Sequence, residues 1–279
     1  MMSPRGPRKI AIAIGALLIV ALGALYVVTP TIERNLTFKP RPFDASRWTL
    51  PANTEDVFLT TDDGVRLHGW YYTAAEPKNG RTVLYFHGNA GSVPGVSGDA
   101  RVRQARGVNV VAIDYRGDGQ SEGPSASAAT LRRDGIAAWR HLMRIGTRPE
   151  DLVLGGPSLG SVPAADLATR GPCRALILMA PLASARKQAH DMLPWLPDPL
   201  LFGRRSSLDV EDWVRRARCR TCIVHREGDR TIAYRHARAV YEAAREPKRF
   251  IGLPGDAHWL PMVDGRDYTR EILEFLKTP

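Results

Sequence analysis

Six apolar runs of four to seven residues recur between longer helix-like stretches, and this alternation constrains the fold more than any other feature of the chain. The runs are Thr82 to Phe86, Val108 to Asp114, Leu152 to Gly155, Ala175 to Met179, Cys222 to His225 and Arg249 to Leu253. Helix-like segments lie near Ser127 to Ile145, Leu159 to Thr169, Tyr234 to Ala244 and Tyr268 to Leu276. A strand that is apolar throughout needs cover on both faces, so the pattern predicts a mostly parallel sheet between two layers of helices. Ahead of it, Val57 to Thr60 and Leu67 to Tyr72 flank Thr61-Asp62-Asp63-Gly64 and read as a hairpin. Residues 55–279 are long enough for one such α/β domain with a large core. The stretch 181–209 breaks the alternation with Pro194, Trp195, Pro197, Pro199 and Phe202 and reads as a short insertion, either a cover over a binding site or a loop packed on itself.

The N-terminus carries a different signal. Arg5, Arg8 and Lys9 precede an uncharged run, Ile10 to Val28, which as a helix would extend about 28 Å, close to the thickness of a bilayer's hydrocarbon layer. The reading is a basic cytoplasmic segment over 1–9, a membrane-spanning helix over 10–28 and a proline-bearing stalk over 29–54. The positive-inside rule then exports the domain that follows, into the periplasm in a bacterial cell. The competing reading is a signal peptide cut near Ala21-Leu22-Gly23, which exports the domain as a secreted protein.

Three surplus charges are thereby assigned to orientation. The formal net charge is +10, from Lys+Arg 39 against Asp+Glu 29, and the rest of the surplus is spread along the chain without a zinc-finger, RRM or basic-zipper pattern. The expectation is no nucleic-acid partner, with Arg215, Arg216, Arg218 and Arg220 forming a solvated helix face. Three cysteines exclude a disulfide scaffold. Cys219 and Cys222 form a C-x-x-C that lacks a second ligand pair for zinc and reads as structural, leading into a buried strand.

The template G-x-S-x-G occurs twice, at Gly119-Gln120-Ser121-Glu122-Gly123 and at Gly156-Pro157-Ser158-Leu159-Gly160. A nucleophile elbow needs a strand running into the first glycine and a helix starting at the serine. Only the second copy has both. The first follows a strand that has already ended by Asp114, is followed by Pro124, and would set Glu122 beside a developing anion. Ser158 is therefore the expected nucleophile. Its hydroxyl requires an imidazole to take the proton and a carboxylate to orient that imidazole. His258 sits in a glycine-bearing loop after the last apolar run, whereas His190, His225 and His236 fall in the insertion, a strand and a helix. Asp229 follows the run ending at His225, and Asp256, its rival, stands too near His258 in sequence to approach the ring well. His87-Gly88-Asn89-Ala90-Gly91 follows Phe86 where half of an oxyanion hole is expected, so the backbone N–H groups of Asn89 and Leu159 are the expected donors.

Taken in this order, these blocks, with Asp114 through Gly123, resemble the α/β-hydrolases over about residues 55–276, and more narrowly the membrane-anchored serine hydrolases that have an N-terminal transmembrane helix and no large cap domain. The resemblance implies an eight-stranded, mostly parallel sheet and hydrolysis of esters or thioesters, often lipid-linked, without metal or organic cofactor. It also implies that the Ser121 block is structural. Pro157, Asp118, Arg226 and Arg220 depart from the family pattern, and none belongs to the expected triad. A peptidase or acyltransferase would use the same triad, and a silent anchored binding domain is the reading from another class.

Overall fold

A computed structural model describes residues 13–17, 20, 23–24, 38, 48–74, 80–89, 91–192, 194–195, 208–258, 260 and 267–277. The hairpin is β1 (Thr54–Thr60) and β2 (Arg66–Tyr72). There follow β3 (Thr82–Phe86), α1 (Ser97–Gln104), β4 (Asn109–Ile113), α2 (Ala128–Arg144) and β5 (Leu152–Pro157). A single helical turn, Ser158–Gly160, leads into α3 (Ser161–Arg170), then β6 (Ala175–Met179), α4 (Ala185–Met192), α5 (Val210–Arg216), β7 (Arg220–Arg226), α6 (Tyr234–Ala243), β8 (Lys248–Leu253) and α7 (Asp267–Lys277). All eight strands join one sheet in the order β1-β2-β4-β3-β5-β6-β7-β8. β2 is antiparallel to β1 and β4, and β3 through β8 are mutually parallel.

Continuous apolar strands are explained by two separate cores. Leu84, Phe86, Val111, Ile113, Leu154, Leu176 and Ile223 point to one face, under α2, α3, α5 and α6. Their chain neighbours Val83, Tyr85, Val110, Ala112, Val153, Ile177 and Val224 point to the other, under α1 and α7. The period of two splits each run between the faces. α2 starts where Ser127 and Thr130 cap each other, the Ser127 N–H donating to Thr130 Oγ1 at 2.7 Å and the Thr130 N–H to Ser127 Oγ at 3.3 Å.

Three helices exceed the sequence expectation: α1, α4 and α5. The insertion is closed at its base by main-chain bonds from Ala185 N to Leu208 O (2.9 Å) and Glu211 N to Ala183 O (2.9 Å), and its residues 193 and 196–207 lie outside the described residues. The expected membrane helix over 10–28 also falls largely outside them; among the described residues no helix is long and apolar enough to cross a membrane.

The hairpin is fastened to the helical layer by Arg116. Its guanidinium reaches the buried Asp134 at 2.6 Å and Asp63 in the hairpin turn at 2.8 Å. Hydrogen bonds from Arg116 and then from the Thr61 hydroxyl hold the Asp63 carboxyl well below the ordinary carboxylate range. A group whose pKa is depressed by folding contributes stability above its unfolded value and loses it as pH falls through the folded one. Asp63→Asn is therefore expected to lower stability by about 1–2 kcal/mol at pH 7. In paired denaturant titrations, the gap to the parent should narrow once the pH falls below the ordinary aspartate value of 3.8.

Candidate active site

β5 ends in a turn that places Ser158 at φ +51°, a left-handed conformation that side chains rarely adopt. The glycines on either side have a steric reason. A Cβ on Gly156 would lie 2.2 Å from Phe86 O, and one on Gly160 would lie 2.1 Å from the same carbonyl. The elbow thus presses its main chain against the end of β3, where any residue larger than glycine collides. The following helical turn supplies the Leu159 N–H, one of the first donors of a helix, which have no partner within it. Across from it, a Cβ on Gly88 would lie 3.7 Å from Ser158 Cβ, so the loop after β3 runs beside the serine.

That loop is held from beneath. Tyr115 donates its hydroxyl to His87 O at 2.8 Å, and the His87 ring lies 4.3 Å from the Tyr115 ring, centroid to centroid. His87 Nδ1 donates to Gly88 O at 2.8 Å. The buried Asp114 accepts the Val93 N–H at 2.8 Å and lies 3.5 Å from His68 Nδ1, while His68 Nε2 reaches Asp56 at 2.8 Å. Burial works against charging His68, but the two carboxylates outweigh it and raise its pKa. His68 and His87 are thereby committed to fixing loops.

On the far side of the sheet's C-terminal edge, the loops after β7 and β8 are zipped together. Glu227 N donates to Leu253 O at 2.9 Å and Gly228 N to Gly255 O at 3.0 Å, and Arg226 Nη1 adds a bond to Pro254 O at 2.7 Å. This gives a role to Arg226, one of the departures from the family pattern. The zipper brings His258 Nδ1 to 2.7 Å from Asp229 Oδ2. Asp229 is buried, and its other oxygen accepts the N–H groups of Thr231 (2.8 Å) and Ile232 (3.0 Å). His225 Nε2 donates to Ile232 O at 2.9 Å and lies 3.3 Å from Asp229 Oδ2. Burial lowers the His225 pKa, so this second imidazole stays neutral and braces the carboxylate's loop. The supporting donors at Thr231 and Ile232 escaped the sequence reading, although an aspartate that bonds the main chain two residues on is a recognisable turn signal.

The rival residues are placed elsewhere. Asp256 is exposed and faces Arg230 at 3.4 Å. His190 is exposed, and His236 is buried between Ala183 N (3.0 Å) and Asp191 (2.6 Å). Ser121 donates to Asp114 O at 2.7 Å and accepts the His68 N–H at 2.9 Å. Ser121→Ala should therefore leave turnover within about threefold of the parent while costing about 1 kcal/mol of stability, read from a denaturant midpoint. Among the described residues no group of three or more His, Cys, Asp or Glu side chains is placed to hold a metal ion.

Residues 77–202 match the family described as serine aminopeptidase, S33 (Hydrolase_4). The chain is 30% identical to protein YfhR of Escherichia coli (strain K12) over 239 residues, covering 81% of each. It is 32% identical to protein MT2364 of Mycobacterium tuberculosis (strain CDC 1551 / Oshkosh) over 273 residues, covering 95% of each. The structure of the Pyrococcus furiosus esterase Pf2001 superposes with a TM-score of 0.67 at 18% identity, covering 86% of this chain and 97% of that one, a likeness of fold.

Proposed function

Since the chain belongs to the serine aminopeptidase S33 family of the α/β-hydrolase superfamily, we propose that this hydrolase is a membrane-tethered serine esterase acting on carboxylic esters or thioesters with lipid-like or small acyl groups. The observation that carries the reading is the 2.7 Å contact of His258 Nδ1 with the buried Asp229, on loops that leave the same sheet edge as the Ser158 elbow. In this account Ser158 Oγ attacks the acyl carbonyl while His258 Nε2 takes its proton. Asp229 holds the Nδ1–H tautomer and stabilises the imidazolium. The Asn89 and Leu159 N–H groups receive the oxyanion, and His258 returns the proton to the departing alcohol or thiol. Water, activated by the same imidazole, then releases the acyl group and regenerates the serine.

The tether rests on the Ile10 to Val28 run behind Arg5, Arg8 and Lys9, with the catalytic domain on the exported side. Lipid-like acyl groups are supported by Met192 and Trp195, which stand 68% and 75% exposed in the insertion. The base of that insertion is tied to the acid's loop by Gln188 Nε2 donating to Thr231 O at 2.9 Å. The test is a substrate panel on the purified protein: p-nitrophenyl esters of increasing acyl length, acyl thioesters and aminoacyl p-nitroanilides. The account expects ester or thioester turnover to exceed anilide turnover by at least about 10²-fold. Anilide turnover equal to or above it would favour the peptidase implied by the family's description.

A further inference from the structure

Cys173 and Cys219 take no part in the hydrolytic site. Cys173 lies two residues ahead of Ala175, the first residue of β6, and Cys219 directly ahead of Arg220, which pairs with Ala175 in the parallel register of β6 and β7. The two cysteines therefore stand side by side at the N-terminal edge of the sheet, opposite the edge that carries the elbow. Their side chains lie next to each other, and both pack on the same core cluster while remaining partly exposed. Cys222, the other half of the C-x-x-C, is fully buried in the cluster on the opposite face of the sheet. The spatial partner of Cys219 is thus Cys173, a pairing that the sequence spacing conceals. An open cavity of about 580 Å³ is lined by Cys173 with Arg170, Arg216, Arg218 and Arg245.

We propose that Cys173 and Cys219 form a reversible dithiol–disulfide pair, oxidised by small anionic disulfides that approach through the arginine-lined cavity. Cys173 is the attacking thiol, because it is the one of the two that lines the cavity through which the oxidant arrives. The Cys173 thiolate attacks one sulfur of the small disulfide, whose S–S bond breaks and releases one thiolate. Cys219 then gives up its proton to solvent and attacks the Cys173 sulfur of the mixed disulfide. The protein S–S bond forms as the second small thiolate leaves. Two protein thiols are oxidised and one small disulfide is reduced to two thiols. The guanidinium groups attract the anionic oxidant. Closure ties the turn after α3 to the start of β7 and encloses the whole 181–209 insertion in a covalent loop, which restricts the unfolded chain.

The experiment uses the full chain, equilibrated with reduced and oxidised glutathione at a series of ratios, quenched with acid and alkylated under denaturing conditions. Alkylatable cysteines are expected to fall from the 3 in the sequence to Cys222 alone as the oxidised fraction rises. Peptide mapping with a protease that spares arginine should then find Cys173 joined to Cys219. The unfolding midpoint should rise by about 5 °C or more. Cys219→Ser should instead retain glutathione on Cys173, since the resolving thiol is gone. Full alkylation at every ratio, or a cross-link that includes Cys222, overturns the proposal. Ester hydrolysis is not the readout, so the outcome is independent of the proposed catalytic function.

Discussion

Ser158→Ala is expected to lower kcat/KM for a p-nitrophenyl ester by at least about 10⁴-fold, with the unfolding midpoint moving by no more than about 2 °C. The loss is this large because, among the described residues, the rival serines are held in hydrogen bonds elsewhere. Ser121 is fixed between Asp114 and the His68 N–H, the Ser161 hydroxyl donates to Ser158 O at 2.6 Å, and Ser184 accepts the Lys187 N–H at 3.1 Å. What survives would come from the oxyanion donors and from substrate binding. Asp229→Asn should approach the same loss, about 10⁴-fold. An amide in place of the carboxylate can offer its NH₂ to His258 Nδ1, selecting the tautomer that leaves Nε2 protonated and unable to accept from serine. Asp256→Asn, whose carboxylate faces solvent beside Arg230, should leave turnover within about threefold. Steady-state kinetics on these variants separates a triad from a serine that only lines a pocket.

The second large effect is on stability. Gly160→Ala would set a Cβ 2.1 Å from Phe86 O, 2.8 Å from Phe86 C and 3.0 Å from His87 O. All three are main-chain atoms, so no side chain can rotate aside, and the elbow must separate from the end of β3. The expected cost is about 3 kcal/mol or more, read from the denaturant midpoint. Because the displaced segment carries Asn89, the folded fraction should also lose about 10²-fold in kcat/KM. Gly98→Ala is the control: its Cβ meets nothing within 4 Å, and alanine at that position in α1 should be neutral or slightly stabilising. If Gly160→Ala proves as stable as Gly98→Ala, the close approach of the elbow to β3 is refuted.

The sheet was legible because its parallel strands are buried on both faces and so advertise themselves as unbroken apolar runs. What stayed hidden was structure held by polar groups. In α1, the buried residues include Ser97, Asp99 and Arg103, with Tyr85 donating to Asp99 at 3.1 Å, so no apolar stripe marks that helix. α5 is a short helix started by the Asp209 side chain, which accepts the Asp212 N–H at 3.0 Å, a local signal easily lost beside a proline-rich insertion. The placement of β3 between β4 and β5 is a matter of crossover connections that residue spacing does not encode. In the site, the Ser158 elbow was readable because strain and close packing demand glycine at fixed positions. The Asp229 and His258 pairing was readable from loop order. The brace from His225, the Asp56–His68–Asp114 chain and the contact of Cys173 with Cys219 join residues far apart in sequence or without a motif, and only the folded geometry assembles them.

The central claim is that Ser158 is the nucleophile, and the most direct measurement is labelling of the native protein with a fluorophosphonate, followed by mass-spectrometric location of the adduct. The account predicts one adduct per chain, on Ser158, absent from Ser158→Ala and abolished by heat denaturation before labelling. An adduct on Ser121 or Ser161, or equal labelling of the parent and Ser158→Ala, would contradict it.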